Sequence, residues 1–187
     1  MTDSTSGNTE PDEVRTARLL LRRVRADDLA AALEIHTDPE NYRYEPNGAP
    51  SATEARGLLT SWLAHWAEHG FGYWAIELPG TGEVIGFGGV RLSVSEDDGT
   101  EQLNLYYRFR PAAWGNGYAP EMAAAAIEWA DRCVPGRPIT IIANVENTPS
   151  NRVAEKLGFV VVGKLDDGRG PAAWVHRRQD AVLSANR

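Results

Sequence analysis

The stretch "RPAAWGNGYAPEMAAAAIEWADR", residues 110–132, runs from an aromatic-rich segment through two glycines into an alanine-rich run. Gly115 and Gly117 stand just ahead of a helical pattern. Ala119, Met122, Ala123, Ala126, Ile127 and Ala130 share one stripe of it. Small side chains on that stripe let the helix lie close to a sheet. The first N–H groups of a helix have no partner within it and carry partial positive charge. Glycines in front of them let an anion such as a pyrophosphate approach the backbone. The same spacing also serves a plain strand-to-helix turn. "WGNGYA" is not a Walker A loop, because no Gly-Lys-Ser/Thr follows. Pro120 stands where the third glycine of G-x-G-x-x-G would be, and hairpins precede the loop, which excludes the dinucleotide fingerprint.

Working outward, "ARLLLRRVR" (17–25) reads as a strand with a basic exposed side. Asp27 is placed to cap a helix carrying Leu29, Leu33 and His36. Pro39, Pro46, Gly48 and Pro50 mark an irregular loop. Ser51 and Glu54 have the capping-box spacing, and the helix they open shows Leu58, Leu59, Trp62, Leu63 and Trp66 on one face before Gly70. Strands follow at 71–78 and 83–94, joined around Pro79, Gly80 and Gly82. "EDDG" (96–99) is a second turn and 101–110 a third strand, ended by Pro111. Downstream, "PITIIANV" (138–145) reads as a buried strand. Thr148 and Pro149 open a short helix that Gly158 ends, and 159–165 and 172–178 flank "DDGRG" as a last hairpin. The order is β-α-α-β-β-β-α-β-α-β-β, a mixed α/β chain without repeats. Residues 1–14 read as a disordered tail, 15–180 as one domain and 181–187 as a C-terminal tail.

The composition narrows the class. The 187 residues and an apolar fraction of 42% fit a globular domain with a real core. No stretch approaches the ~18 apolar residues of a membrane span. The N-terminus lacks the basic start and apolar core of a secretory signal, and Cys133 stands alone, so a cytoplasmic protein without an internal disulfide is expected. The net charge of −7 argues against nucleic-acid binding and mildly favours cationic partners such as amines.

"YYRFRPAAWGNGYAPEMAAAAIEWA" (106–130) resembles the acetyl-CoA signature of the GNAT N-acetyltransferases. "ANVENTPSNRVAEKLGF" (143–159) is similar to the family's second signature, and "GYWAIELPGTGEVIGFGGV" (72–90) to the hairpin upstream. The likeness covers roughly residues 16 to 178 and is nearest the RimJ/RimL-like branch, whose members acetylate protein N-termini, with relatives acting on other amines. The resemblance implies a GNAT fold: a central, mostly antiparallel twisted sheet, splayed at the acetyl-CoA site and flanked by helices. It implies acetyl-CoA as cosubstrate and an amine acceptor, either a peptide N-terminus or a small molecule. By position Arg108, Phe109 and Arg110 would line the pantetheine arm. Gly115, Asn116, Gly117, Tyr118 and Ala119 would wrap the pyrophosphate, and Asn147 would bond the pantetheine or fix its loop. Trp114 replaces the Gln or Arg usual at the start of the loop.

Direct acyl transfer needs proton removal from the amine, polarisation of the carbonyl and help for the departing sulfur. Many RimJ/RimL-like chains carry a Glu where this one has Asn104, which cannot accept a proton at neutral pH. Glu101, Tyr106 or a water chain are the substitutes. The tyrosine that acts as acid elsewhere in the superfamily is Ala154 here. Ser150, resembling a serine kept in this branch, is placed to bond the sulfur or simply to satisfy the helix start. The missing Glu and Tyr also suit a CoA-binding regulator without turnover. "HWAEH" (65–69) matches H-x-x-E-H and puts His65 and His69 one turn apart, but no third zinc ligand is evident. Trp174, read as exposed on a terminal strand, would suit a homodimer.

Overall fold

The structure, a computed structural model, describes residues 13–45, 47–95, 99–166 and 172–178. Among them, eight strands form one sheet in the order β1-β2-β3-β4-β5-β6-β8-β7. The strands are β1 (Glu13–Arg15), β2 (Leu20–Arg23), β3 (Tyr73–Leu78), β4 (Glu83–Val94), β5 (Glu101–Phe109), β6 (Ile139–Asn144), β7 (Phe159–Leu165) and β8 (Ala173–Arg178). Every neighbouring pair is antiparallel except β5 with β6. The helices are α1 (Leu29–Thr37), α2 (Ala52–His69), α3 (Tyr118–Cys133) and α4 (Thr148–Lys156).

The helices divide between the two sheet faces by strand alternation. On one face, Tyr73, Phe87 and Tyr106 meet His36 of α1 and Trp62 of α2 in an aromatic cluster. On the other, Trp129 of α3 packs edge-on to Trp74, and Met122 lies over Gly88. α2 is bounded as its sequence dictates. Ser51 and Glu54 form a reciprocal capping box, and Gly70 ends the helix in the left-handed region at φ 74°. The alanine stripe of α3 is buried at Ala123, Ala126 and Ala130.

Several boundaries differ from the sequence reading. β1 begins at Glu13, so Glu13 and Val14 pair with Arg22 and Leu21 instead of belonging to a tail. Asp28, not Asp27, sits at the start of α1. Its carboxylate accepts from the Arg25 N–H at 2.7 Å and pairs with the buried Arg22 guanidinium. Asn147, not Thr148, caps α4, accepting from the Ser150 N–H at 3.2 Å. β8 lies between β6 and β7, so Trp174 is half-buried on an interior strand. Residues 96–98 of the "EDDG" turn, 167–170 of the "DDGRG" turn, residues 1–12 of the N-terminal tail, Pro46 and the 181–187 tail lie outside the described residues. No described helix is long and apolar enough to cross a membrane.

Close packing of β4 against β5 and α3 depends on a missing side chain. A Cβ on Gly88 would lie 2.7 Å from the Tyr106 carbonyl oxygen and 2.8 Å from the Met122 methyl. Gly88→Ala is therefore expected to destabilise the fold by about 1–3 kcal/mol through overpacking. Urea unfolding checks this, and an unchanged midpoint would show that β4 gives way at no cost.

Candidate active site

The parallel contact between β5 and β6 is short. Leu103 lies opposite Ile139 and Asn104 opposite Thr140, and there the pairing ends, whereas β5 stays paired with β4 as far as Phe109. The Leu103 N–H donates to the Pro138 carbonyl, so odd-numbered residues of β5 direct their backbone groups toward β6. Past Asn104 the alternation turns the N–H and C=O of Tyr107 and the N–H of Phe109 into the gap. The Phe109 carbonyl is held by the Trp114 indole N–H at 3.1 Å. A cavity of about 510 Å³ occupies this opening and runs to the glycine loop.

That loop is an anion cradle by construction. Gly115 and Gly117 take φ of 77° and 76°, values that L side chains rarely adopt. The first helical bond runs from the Glu121 N–H to the Gly117 carbonyl. The N–H groups of Gly115, Asn116, Gly117, Tyr118 and Ala119 have no acceptor among the described residues, and Pro120 has no N–H to leave unpaired. A Cβ at Gly115 would meet nothing within 4 Å, so the loop lies open to a ligand. The Asn116 amide folds back onto the Ala113 and Trp114 carbonyls at 3.1 and 3.2 Å.

Glu121 explains why an acidic residue follows. Its carboxylate accepts from the Thr16 hydroxyl at 2.6 Å, the Arg18 N–H at 2.9 Å and the Arg18 Nε at 2.7 Å. Burial pushes its carboxyl up, but the bonds from Thr16 and Arg18 outweigh that and hold it below the usual carboxylate range. Arg18 also donates to the Asn116 carbonyl at 2.8 Å and lies over the Tyr118 ring at 4.9 Å. The turn between β1 and β2 thus fixes the glycine loop.

The segment between α1 and α2 crosses the mouth of the opening. Arg108, at the end of β5, donates to the Asn41 carbonyl and stacks on Tyr42 at 3.7 Å. Asn144, at the end of β6, donates to the Tyr44 carbonyl at 2.7 Å. Arg43 lies over Trp114 at 5.1 Å. Beneath, His36 shares a 2.8 Å hydrogen bond with the Tyr42 hydroxyl. Burial, reinforced by the Arg108 charge, pushes its imidazole down to about 3, so it is neutral.

A family model described as "Acetyltransferase (GNAT) domain" matches residues 18–160. The chain belongs to the GNAT acetyltransferase family. It is 26% identical to a Bacillus subtilis (strain 168) protein named "Uncharacterized N-acetyltransferase YoaA", over 81% of this chain and 85% of that protein. An acetyltransferase from Agrobacterium tumefaciens str. C58 has a similar structure, with a TM-score of 0.76 and 25% identity over 91% of this chain and 95% of that one. So does RimL, a ribosomal L7/L12 α-N-protein acetyltransferase solved with coenzyme A, at a TM-score of 0.70 and 16% identity over 89% of this chain and 97% of that one. The fold is the GNAT fold, its structural neighbours include RimL-like enzymes, and the chain is an N-acetyltransferase.

Within this GNAT frame, Arg108, Phe109, Gly115, Gly117, Tyr118, Ala119, Asn147 and Ser150 all line the one cavity. Asn116 adds its N–H. Three other expectations do not reach it. Arg110 turns back to β4, bonding Glu83 at 2.7 Å and the Val84 carbonyl at 2.8 Å. Asn104 faces the aromatic cluster, donating to the Tyr73 hydroxyl at 2.5 Å. Glu101 begins β5 at the paired end, exposed and 3.5 Å from Arg137. Six residues of extended strand put it about 20 Å from Tyr107. The His65 and His69 rings are tilted by 50° with centroids 4.3 Å apart, and no third His, Cys, Asp or Glu joins them in a metal-sized group among the described residues. Arg18 and Tyr107 were missed. Arg18 carried no signal beyond its charge, and Tyr107 lay unremarked inside the quoted signature.

Two outcomes follow. Glu101→Gln is expected to leave turnover and its pH profile unchanged within about twofold, because a carboxylate so distant cannot take the amine proton. A displaced acid limb in the rate profile would restore Glu101 to the mechanism. For Glu121, the lowered pKa means that its stabilisation is present above the unfolded value of ~4.3 and lost as pH falls through the folded value. Glu121→Gln should cost about 1–2 kcal/mol at pH 7, with the two proteins converging once pH has fallen below the folded value. Melting temperature against pH measures this, and parallel curves would contradict it.

Proposed function

We propose that the chain transfers an acetyl group from acetyl-CoA to a primary amine, either a protein N-terminal α-amine or a small-molecule amine. One observation carries the reading: the β5–β6 opening leads directly to backbone N–H groups without protein acceptors. Their number and direction suit a pyrophosphate. The open β5 edge at Tyr107 and Phe109 suits the amide groups of a pantetheine arm. Bound there, acetyl-CoA would supply an activated thioester.

The chain's own residues then have distinct tasks. The Tyr107 N–H faces the gap and is placed to polarise a carbonyl. Asn147 keeps its Oδ1 on the Ser150 N–H and leaves its amide N–H groups for a ligand on the cavity. Ser150 presents its hydroxyl to the same space. Glu40 and Glu45 line the cavity together with Arg43 and Arg108, and Glu45 lies 3.6 Å from the Arg108 guanidinium, so the described lining carries balanced charge. The solved neighbours act on different acceptors by name, RimL on a ribosomal protein α-amine and a SpeG chimera on spermidine, so both classes belong in the test.

A mass-spectrometric screen of peptides and small amines with acetyl-CoA identifies the acceptor, and absence of any acetylated product across it would defeat the reading. Gly117→Val places a β-branched residue at φ 76° and displaces the cradle. Acetyl-CoA affinity should fall at least tenfold, about 1.4 kcal/mol, by calorimetry. Unchanged affinity in a folded variant would move the pyrophosphate elsewhere.

A further inference from the structure

The charged side chains of the described cavity lining are Glu40, Glu45, Arg43 and Arg108. Their charges cancel in number, but their bonds do not pair off. Arg108 is committed to Glu45 at 3.6 Å, to the Tyr106 hydroxyl at 3.1 Å and to the Asn41 carbonyl. Arg43 has no hydrogen bond or ion pair among the described residues. Its guanidinium lies instead over two ring faces, Tyr44 at 5.0 Å and Trp114 at 5.1 Å. Ring faces attract the charge but leave the N–H donors without an oxygen to meet.

Both chain neighbours of Arg43 are tied down. Tyr42 shares its hydroxyl with His36 at 2.8 Å, and the Tyr44 carbonyl accepts from Asn144 at 2.7 Å. Trp114 is fixed in turn, its indole N–H on the Phe109 carbonyl at 3.1 Å. Trp114 immediately precedes Gly115, where the unpaired N–H groups of the loop begin, and Arg43, Trp114 and Gly115 line the same cavity. The segment between α1 and α2 therefore sets an uncommitted cation, positioned by two aromatic rings, next to the glycine loop.

We propose that Arg43 is a phosphate clamp for the nucleotide end of the cosubstrate, with Trp114 as its seat. The inference rests on the acetyl-CoA reading of the cavity. The ligand chemistry is a phosphate, and coenzyme A offers it from two sources, the pyrophosphate and the ribose 3′-phosphate. The loop meets such charge with backbone N–H groups, which carry about half an elementary charge at a helix start. A guanidinium adds a full charge and the fork geometry that takes two phosphate oxygens at once. Its seating on the rings also reduces the rotamer freedom lost on binding. Glu40 is exposed, so water and salt screen its repulsion.

Calorimetry on the full chain, with coenzyme A and with dephospho-coenzyme A, reads the clamp apart from turnover. Arg43→Gln should weaken coenzyme A about tenfold at low salt, with the melting temperature unchanged because the side chain is exposed. Arg43→Met keeps the ring contacts without the charge and should weaken binding equally, whereas Arg43→Lys should recover part of the loss. The gap between wild type and Arg43→Gln should narrow as salt rises from about 0.05 M to about 0.5 M. A gap that persists with dephospho-coenzyme A places the clamp on the pyrophosphate, and one seen only with coenzyme A places it on the 3′-phosphate. Equal affinities of wild type and Arg43→Gln for both ligands would overturn the clamp. So would a loss that salt leaves unchanged or that Arg43→Met does not share, since packing alone would then explain it. Wild-type protein that binds neither ligand would overturn the cavity reading itself.

Discussion

β5 leaves β6 after two residue pairs, and the rest of the site depends on that departure. A strand in the middle of a sheet is ordinarily bonded on both sides, and buried backbone groups left unpaired cost about 1–3 kcal/mol each. Here the exposed edge of β5 opens into a cavity, where water or a ligand can meet it. One of its carbonyls, that of Phe109, is taken by the Trp114 indole. This gives a physical role to Trp114, which stands where the family usually has Gln or Arg. The segment between α1 and α2 then bridges the two diverging strand ends, held by Arg108 on β5 and Asn144 on β6. The opening is kept at a fixed width by polar bonds to backbone carbonyls, which hold position whatever the identity of the bridging side chains.

The glycine loop is the second place where backbone polarity stays uncompensated. Free N–H groups at a helix start would normally attract a side-chain cap. Gly117 has no side chain to offer, and Asn116 turns its amide away toward Ala113 and Trp114. Such a loop holds its shape only if something else fixes it. Thr16, Arg18 and Glu121 do so from the turn between β1 and β2. The Arg18 side chain is half-exposed, so the ion pair itself adds little. The neutral-to-carboxylate hydrogen bonds from Thr16 and the Arg18 N–H carry more of the work, because their geometry is set by the backbone. Preorganisation of this kind lowers the cost of ordering a ligand's phosphates.

What could be read from the chain was local. The capping box at Ser51 and Glu54, the stops at Gly70 and Gly158, and the small-residue stripe of α3 each lie within a few residues of sequence. They follow from backbone chemistry alone. The glycine loop and its helix were legible for the same reason. Nonlocal facts were not. Nothing near Thr16 announces a bond to Glu121, and β1 is too short for alternation to show. The hairpin of β7 and β8 was legible, but not which strand would lie against β6, so Trp174 was placed on the wrong side of that choice. Glu101 failed on direction. The family resemblance implies a splayed strand without saying which end opens, and the bond from the Leu103 N–H to the Pro138 carbonyl places the closed end beside Glu101.

The protonation state of the groups around Asn104 bears on acceptor choice. Asn104 is tied to the Tyr73 hydroxyl, whose phenol burial pushes up to about 12, so neither group takes a proton near neutral pH. The carboxylates of the described lining, Glu40 and Glu45, are matched by Arg43 and Arg108, with Glu45 3.6 Å from Arg108. An acceptor must therefore bring its own neutral fraction. At pH 7.5 an α-amine of pKa ~8 is about one-quarter neutral, whereas a lysine-like amine of ~10.4 is about one-thousandth neutral. The gap corresponds to a factor of about 200 in attacking species before any contact is made. Proton loss to water suffices for the first class and becomes a severe handicap for the second. Of the acceptor classes proposed above, an amine of low basicity would need the least help from the protein in losing its proton.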